Sequence, residues 1–168
     1  MKEKTGNLMA VDEGIIVHGC NAQGVMGAGV AAAVRKTHPG AFEVYRLAYE
    51  KAHADGQPDL ALGRVVWFTA SQTPKKLAVA NAITQRYFGG DRKVRYVDYD
   101  AVRTAFQNVA RIARQHALPV HYPLIGAGLA NGDWSVIAEI IDQELEGIDH
   151  TLWTLPGMPP PARRRKGP

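Results

Sequence analysis

Gly14-Ile15-Ile16-Val17-His18-Gly19-Cys20-Asn21-Ala22-Gln23-Gly24-Val25-Met26-Gly27-Ala28-Gly29 is the stretch on which the fold turns. Its first five residues are a short apolar run, the pattern of a strand buried on both faces, and the rest is a glycine-rich loop. Helix formers follow at once over residues 30–36 and stop before His38-Pro39-Gly40. A buried strand that feeds a helix through a glycine-rich turn is the opening unit of an α/β domain.

The same grammar recurs outward from it. A second helix is predicted from Ala41 to about Ala54, with Phe42, Tyr45 and Tyr49 at helical spacing, before the breaker Asp55-Gly56-Gln57-Pro58. Residues 64–69 and 77–82 read as two strands of a hairpin around Ser71-Gln72-Thr73-Pro74. Asp98 caps the clearest helix, whose apolar face is Val102, Ala105, Phe106, Val109, Ile112 and Ala113. Residues 119–125 are strand-like despite two prolines and enter a second glycine-rich turn, Gly126-Ala127-Gly128-Leu129-Ala130-Asn131-Gly132. A helix then starts near Asp133, carrying Ile137, Ile140, Ile141 and Leu145, and residues 150–155 form the closing strand. Helices interleaved with strands imply a mixed sheet covered on both faces.

At 168 residues, 46% apolar and 21% charged, the chain has the composition of one globular domain, expected over residues 1–156. The Pro-rich basic tail, residues 157–168, is expected to be disordered. The formal charge of +4 resides in Arg163, Arg164, Arg165 and Lys166, so the body is formally neutral. No membrane partner is expected, and none of nucleic acid beyond weak contacts of that tail. The absence of an apolar signal core near the start and the lone Cys20 point to a cytoplasmic location. No His, Asp or Glu cluster has metal-ligand spacing, so neither a metal nor a cofactor is expected.

The two glycine-rich connections carry the chemistry. Without Cβ, the backbone at Gly27, Gly29, Gly126 and Gly128 is free to take positive φ and to present amides to a ligand. Helices starting after Gly29 and near Asp133 aim positive ends at the same region, which suits an anion, and a pair of such turns suits a pyrophosphate. Neither turn matches a P-loop or the GxGxxG dinucleotide fingerprint.

Val17-His18-Gly19-Cys20-Asn21 with Gly27-Ala28-Gly29-Val30-Ala31, and later Ile125-Gly126-Ala127-Gly128-Leu129-Ala130, resemble the two ligand loops of macro domains. The similarity runs from about Gly6 to Leu155 and is strongest to the subgroup of ADP-ribose 1''-phosphate phosphatases and glutamate-directed ADP-ribosyl hydrolases. It implies a macro-domain-like three-layer α/β/α fold with a mixed, largely parallel central sheet. It also implies a metal-independent hydrolase acting at the distal ribose, with ADP-ribose, ADP-ribose 1''-phosphate or ADP-ribosylated protein as partner. A non-catalytic module that binds the same ligands is the alternative.

The resemblance assigns the distal ribose to Asn21, and its surroundings and the diphosphate to Cys20, Gly27, Ala28, Gly29 and Val30. Ile125, Gly126, Ala127, Gly128, Leu129 and Ala130 complete the phosphate cradle, and Asn7 and Leu8 face the adenine. Asn7 stands where the wider family has an aspartate, which removes the charge-assisted part of adenine recognition. The neighbourhood Ile83-Thr84-Gln85-Arg86 holds no lysine, so a covalent lysine adduct is not expected. Asn21, His18 and Asp133 are the catalytic candidates. His18 either handles a proton or ties two loops together, and Asp133 either orients water or caps its helix. Tyr87 and Phe88, before Gly89-Gly90, form a flap over the distal ribose or anchor the core. Residues 92–95 read as a solvated basic loop.

Overall fold

The computed structural model describes residues 1–72 and 74–162. Its strands are β1 (Lys2–Thr5), β2 (Gly14–Asn21), β3 (Val65–Ser71), β4 (Leu77–Gln85), β5 (Val120–Tyr122) and β6 (His150–Thr154). Its helices are α1 (Gly29–Thr37), α2 (Pro39–Ala54), α3 (Tyr99–His116) and α4 (Trp134–Glu144), with a 3₁₀ turn at Leu8–Ala10. The strands form one sheet in the order β1-β6-β5-β2-β4-β3. All neighbours are parallel except the β3–β4 hairpin.

The apolar run of β2 explains its central place. Ile15 and Val17 point into one core with Phe106 of α3 and Ile137 and Ile141 of α4. Ile16 points the other way, with Val79 of β4, to Val34 of α1 and Ala41 of α2. Each face thus has its own helical layer, and a strand lined by two layers must be apolar at every position. The α3 pattern also holds, with Asp98 Oδ1 accepting from Ala101 N at 2.8 Å and seven residues from Ala101 to Ala113 buried.

Several expectations are corrected. β1 was not foreseen: its four residues, Lys-Glu-Lys-Thr, are all exposed, and an edge strand need carry no apolar signal. β2 continues through Gly19, Cys20 and Asn21, which read as loop, because β4 pairs with it as far as Gln85. β5 stops at Tyr122, since Pro123 lacks an N–H and the chain turns as Ile125 N donates to the Pro123 carbonyl at 2.7 Å. Pro39, read as lying between the first two helices, is the first residue of α2, where its missing N–H costs nothing. Residues 157–162 contain no helix or strand, and the basic part of the tail lies outside the described residues. Among the described residues no helix is long and apolar enough to cross a membrane.

Candidate functional site at the carboxyl edge of the sheet

Five of the six strands run in one direction, so the segments that follow β1, β2, β4, β5 and β6 all emerge at one edge. From β2 the chain proceeds through α1 and α2 to β3 and β4 on one side of the sheet. From the adjacent β5 it proceeds through α4 to β6 on the other side. Adjacent strands whose connections diverge to opposite faces leave a crevice at their carboxyl ends, the general ligand position in open α/β sheets. Both glycine-rich loops emerge at this point.

The first loop is stapled by Asn21. Its Oδ1 accepts from Gln23 N (2.9 Å), Val25 N (3.3 Å) and the hydroxyl of Tyr45 (2.9 Å), and its Nδ2 donates to the Val25 carbonyl at 2.7 Å. The side chain expected to face a ribose therefore holds its own loop, with one Nδ2 hydrogen left uncommitted among the described residues. Met26, 2% exposed, anchors the turn from beneath. Beyond it Gly27, Ala28 and Gly29 are exposed, and Val30 is half-buried. Gly29 takes φ +56° as α1 begins, and Ala28 provides no side-chain cap. The first-turn amides of α1 thus face outward at the crevice, at the end of the helix that carries partial positive charge.

The second loop is closed by its own backbone. Gly126, with φ +70°, accepts from Gly132 N at 2.7 Å, and Asn131 N donates to the Gly128 carbonyl at 3.1 Å. A Cβ on Gly132 would fall 2.7 Å from the Gly126 oxygen and 2.6 Å from Val97, so only glycine closes this turn. Gly27 and Gly128 do not adopt the positive φ open to them. At Gly128 a Cβ would meet nothing within 4 Å, which leaves its amide approachable. Ile125 and Ala130 are buried, Ala127 is half-buried, and Leu129 is 67% exposed.

The two loops meet. The methyl that an alanine would place on Gly29 lies 3.7 Å from Leu129 Cδ1, which puts the start of α1 and the tip of the second loop in van der Waals reach across the β2–β5 boundary. Only one of the two helix ends predicted to serve an anion remains open. α4 is capped by Asp133, whose Oδ1 accepts from Ser135 N at 2.8 Å, while Asp133 N donates to the Tyr99 hydroxyl at 2.9 Å.

His18 is not in the crevice. Because β2 runs three residues further, its ring lies roughly 10 Å below the strand end. It is fully buried and bonded to Asn81 Oδ1 at 2.7 Å. Asn81 Nδ2 donates to the carbonyls of Ala41 and Val66, which turns Oδ1 toward the ring and makes His18 Nε2 the donor. Burial holds His18 down at about 4, so the ring is neutral near pH 7. Cys20 is also buried, with Sγ 3.7 Å from both ring nitrogens, and burial pushes its thiol far up. It offers no thiolate.

Asn7 follows β1 at the same edge and is exposed, but its Oδ1 accepts from Met9 N at 3.0 Å and caps the 3₁₀ turn. Leu8 is buried with Val34 of α1. Trp153 sits beneath this corner, half-buried, donating from Nε1 to His121 Nδ1 at 3.2 Å. Tyr87 and Phe88 are 55% and 52% exposed and anchor no core. The residues missed from the sequence are Asn81, Tyr45 and Asn131. Asn81 had a signal, since a polar residue within the strand Leu77–Gln85 must find hydrogen bonds. The others had none that named a partner. Among the described residues no group of three His, Cys, Asp or Glu side chains is placed to hold a metal ion.

Fold and site together define a three-layer α/β/α domain whose backbone loops converge at the carboxyl edge of a largely parallel sheet. The chain belongs to the Macro domain family, whose model matches residues 17–141. It is similar to the DNA ADP-ribosyl glycohydrolase of Mycobacterium tuberculosis, at 24% identity over 153 residues. That match takes in 89% of this chain and 40% of the other, so the chain spans well under half the length of that curated relative. Among solved structures, a macrodomain protein from Streptomyces coelicolor is 31% identical with a TM-score of 0.73, covering 91% of this chain and 97% of that one. Thermosipho africanus DarTG in complex with ADP-ribose superimposes with a TM-score of 0.70 at 17% identity, over 90% of this chain and 40% of that one. At that identity the likeness concerns the fold alone.

Proposed function

We propose that the crevice binds ADP-ribose derivatives and hydrolyses the bond at C1'' of the distal ribose. The observation that carries this reading is the closeness of Gly29 to Leu129, where a methyl added to Gly29 would lie 3.7 Å from Leu129 Cδ1, which brings the uncapped amides at the start of α1 near the exposed turn of residues 126–129. A diphosphate bridges two such backbone surfaces without needing a cationic side chain from either. The names of the relatives support the choice of ligand: one acts as an ADP-ribosyl glycohydrolase and another is seen with ADP-ribose.

In this reading Val30 and Ala31 donate to one phosphate, and the amides of Gly128 and Leu129 to the other. Asn21 keeps the first loop in shape and directs its second Nδ2 hydrogen to a ribose hydroxyl. Water adds its hydroxyl to C1'', the bond from C1'' to the carrier breaks, the electron pair leaves with the carrier, and the water proton follows it. The diphosphate, held by fixed amides, offsets the positive charge that develops on the ribose. His18, neutral and sealed from the crevice, has the structural role, and Asp133 that of helix cap. Rate enhancement then comes from positioning and from preorganised amides.

The commitment of His18 and Asp133 to structural bonds favours a second reading, a module that binds ADP-ribose without turnover. Incubation with ADP-ribose 1''-phosphate, glutamate-ADP-ribosylated protein and an ADP-ribosylated oligonucleotide separates the two. The hydrolase reading expects free product from at least one of them. Calorimetric binding of ADP-ribose with no release from any would leave the binding module standing, and absence of binding would end both readings.

A further inference from the structure

The first loop of the crevice rests on one face of α2. Tyr45 and Tyr49, one helical turn apart, both pack toward the end of β2 and the residues that follow it. A Cβ on Gly24, where φ is +76°, would fall 2.8 Å from Cδ1 and 2.9 Å from Cγ of Tyr49, so only glycine fits against that ring. Tyr45 is fully buried in a cluster with Cys20, Ala22, Met26, Leu60 and Ile83. Its hydroxyl lies 2.7 Å from the Asn21 carbonyl oxygen and 2.9 Å from Asn21 Oδ1. α2 is in turn pinned to the sheet near its start, where Asn81 Nδ2 donates to the Ala41 carbonyl at 3.0 Å.

A phenol has one hydrogen to donate, and both oxygens within its reach belong to the same residue. Burial pushes the Tyr45 phenol far above its ordinary value, so the hydroxyl keeps that hydrogen. The other bonds of the Asn21 side chain run to Gln23 N, Val25 N and the Val25 carbonyl, and these partners travel with the loop. Among the described residues Tyr45 is the one hydrogen-bond partner of that side chain outside residues 21–25. The strand ladder alone fixes Asn21 less firmly, because the pairing of β2 with β4 shifts register between Cys20 and Asn21.

We propose that Tyr45 is a positioning residue for the crevice: its hydroxyl sets the Asn21 carboxamide and the first loop, and through them the affinity for ADP-ribose. The proposal rests on the ADP-ribose reading of the site. A direct contact with ligand is closed to a side chain with no exposed surface. Replacing the hydroxyl by hydrogen keeps the ring and its packing but takes one of three donors from Asn21 Oδ1. The carboxamide is then free to turn, and the Nδ2 hydrogen directed at the ribose loses its aim.

The test compares Tyr45→Phe with Tyr122→Phe. The second variant removes another buried phenol, bonded at 2.8 Å to His150 at the start of β6, the edge opposite the crevice. Both are expected to melt a few degrees below the parent chain. The calorimetric Kd for ADP-ribose is expected to rise about tenfold in Tyr45→Phe and to stay within about twofold in Tyr122→Phe. In an Asn21→Ala background, adding Tyr45→Phe changes Kd by no more than about twofold, because a residue that acts through Asn21 has nothing left to position. An unchanged Kd in Tyr45→Phe overturns the proposal, as does a second full loss on top of Asn21→Ala. Amide hydrogen exchange followed by NMR gives a readout that needs no ligand. The amides of Gln23 and Val25 are expected to exchange about tenfold faster in Tyr45→Phe, while those of Ile16 and Val79, within β2 and β4, change only with global stability. Unaltered exchange at Gln23 and Val25 also overturns the proposal. Should Asn21→Ala not fold, the two phenylalanine variants and the exchange rates decide. If the parent chain binds no ADP-ribose, the reading of the crevice falls, and the exchange rates still decide whether Tyr45 sets the loop.

Discussion

Replacing Gly29 by alanine isolates the crevice from the fold. At φ +56° the residue lies in the left-handed region, where an L side chain costs roughly 1–2 kcal/mol. The added methyl meets Leu129 Cδ1 at 3.7 Å, an ordinary contact, so no packing penalty follows. A domain of this size then loses roughly 2–4 °C of Tm per kcal/mol. The same methyl, however, projects into the gap between the two loops. Losing one charge-assisted hydrogen bond to the diphosphate costs about 1.5–3 kcal/mol, roughly a 10- to 150-fold rise in Kd for ADP-ribose. Gly147→Ala is the control. It has φ +76°, nothing lies within 4 Å of its Cβ, and it sits just before β6 at the opposite edge of the sheet. Calorimetric titration with ADP-ribose and thermal melts of both variants complete the experiment. Similar Tm losses with ADP-ribose affinity unchanged, within about twofold, in Gly29→Ala would refute the placement of the diphosphate at the α1 amides.

Two further outcomes bear on the residues given structural roles. Burial lowers the His18 pKa from the ordinary 6.5 to about 4, so the unfolded chain takes up a proton over a range in which the folded one does not. The contribution of the neutral ring is complete above pH 6.5 and declines as the pH falls to about 4, by on the order of 3 kcal/mol. His38 and His121 are lowered in the same direction and persist in the variant, so the quantity to measure is wild type minus His18→Gln in urea unfolding between these limits. A difference independent of pH would contradict the buried neutral ring. Asp133→Asn should keep both helix cap and turnover, because the two residues cap almost equally well, while Asp133→Ala loses about 1 kcal/mol of stability. A drop of tenfold or more in turnover with Asn would return a proton-handling role to the carboxylate.

The layers were legible wherever burial leaves a period in the sequence. β2 shows an unbroken apolar run because helices cover both its faces, and α3 shows a single stripe because one face meets water. β1 left no trace, since an edge strand of lysines and glutamate is indistinguishable from a solvated terminus. The place of His18 was lost for a related reason: Gly19 and Asn21 are loop-forming residues by type, and only pairing with β4 keeps them in the sheet. Its partner Asn81 is 63 residues away, beyond any local pattern. The glycines of both loops were visible, whereas which of them needed positive φ was decided by the closure of each turn.

That difference between visible loops and invisible contacts follows from how the crevice is built. Asn21 shapes the first turn, Asn131 fastens the second to residues 91–94, and Asp133 closes α4; each of these polar side chains already bonds to main chain. What remains to meet a ligand is largely backbone amide, which every residue type supplies and no composition reveals. Under the proposed reading, a cradle of this kind selects for the charge and spacing of a diphosphate and leaves the carrier beyond the distal ribose unread. Discrimination between carriers then has to come from side chains outside the cradle.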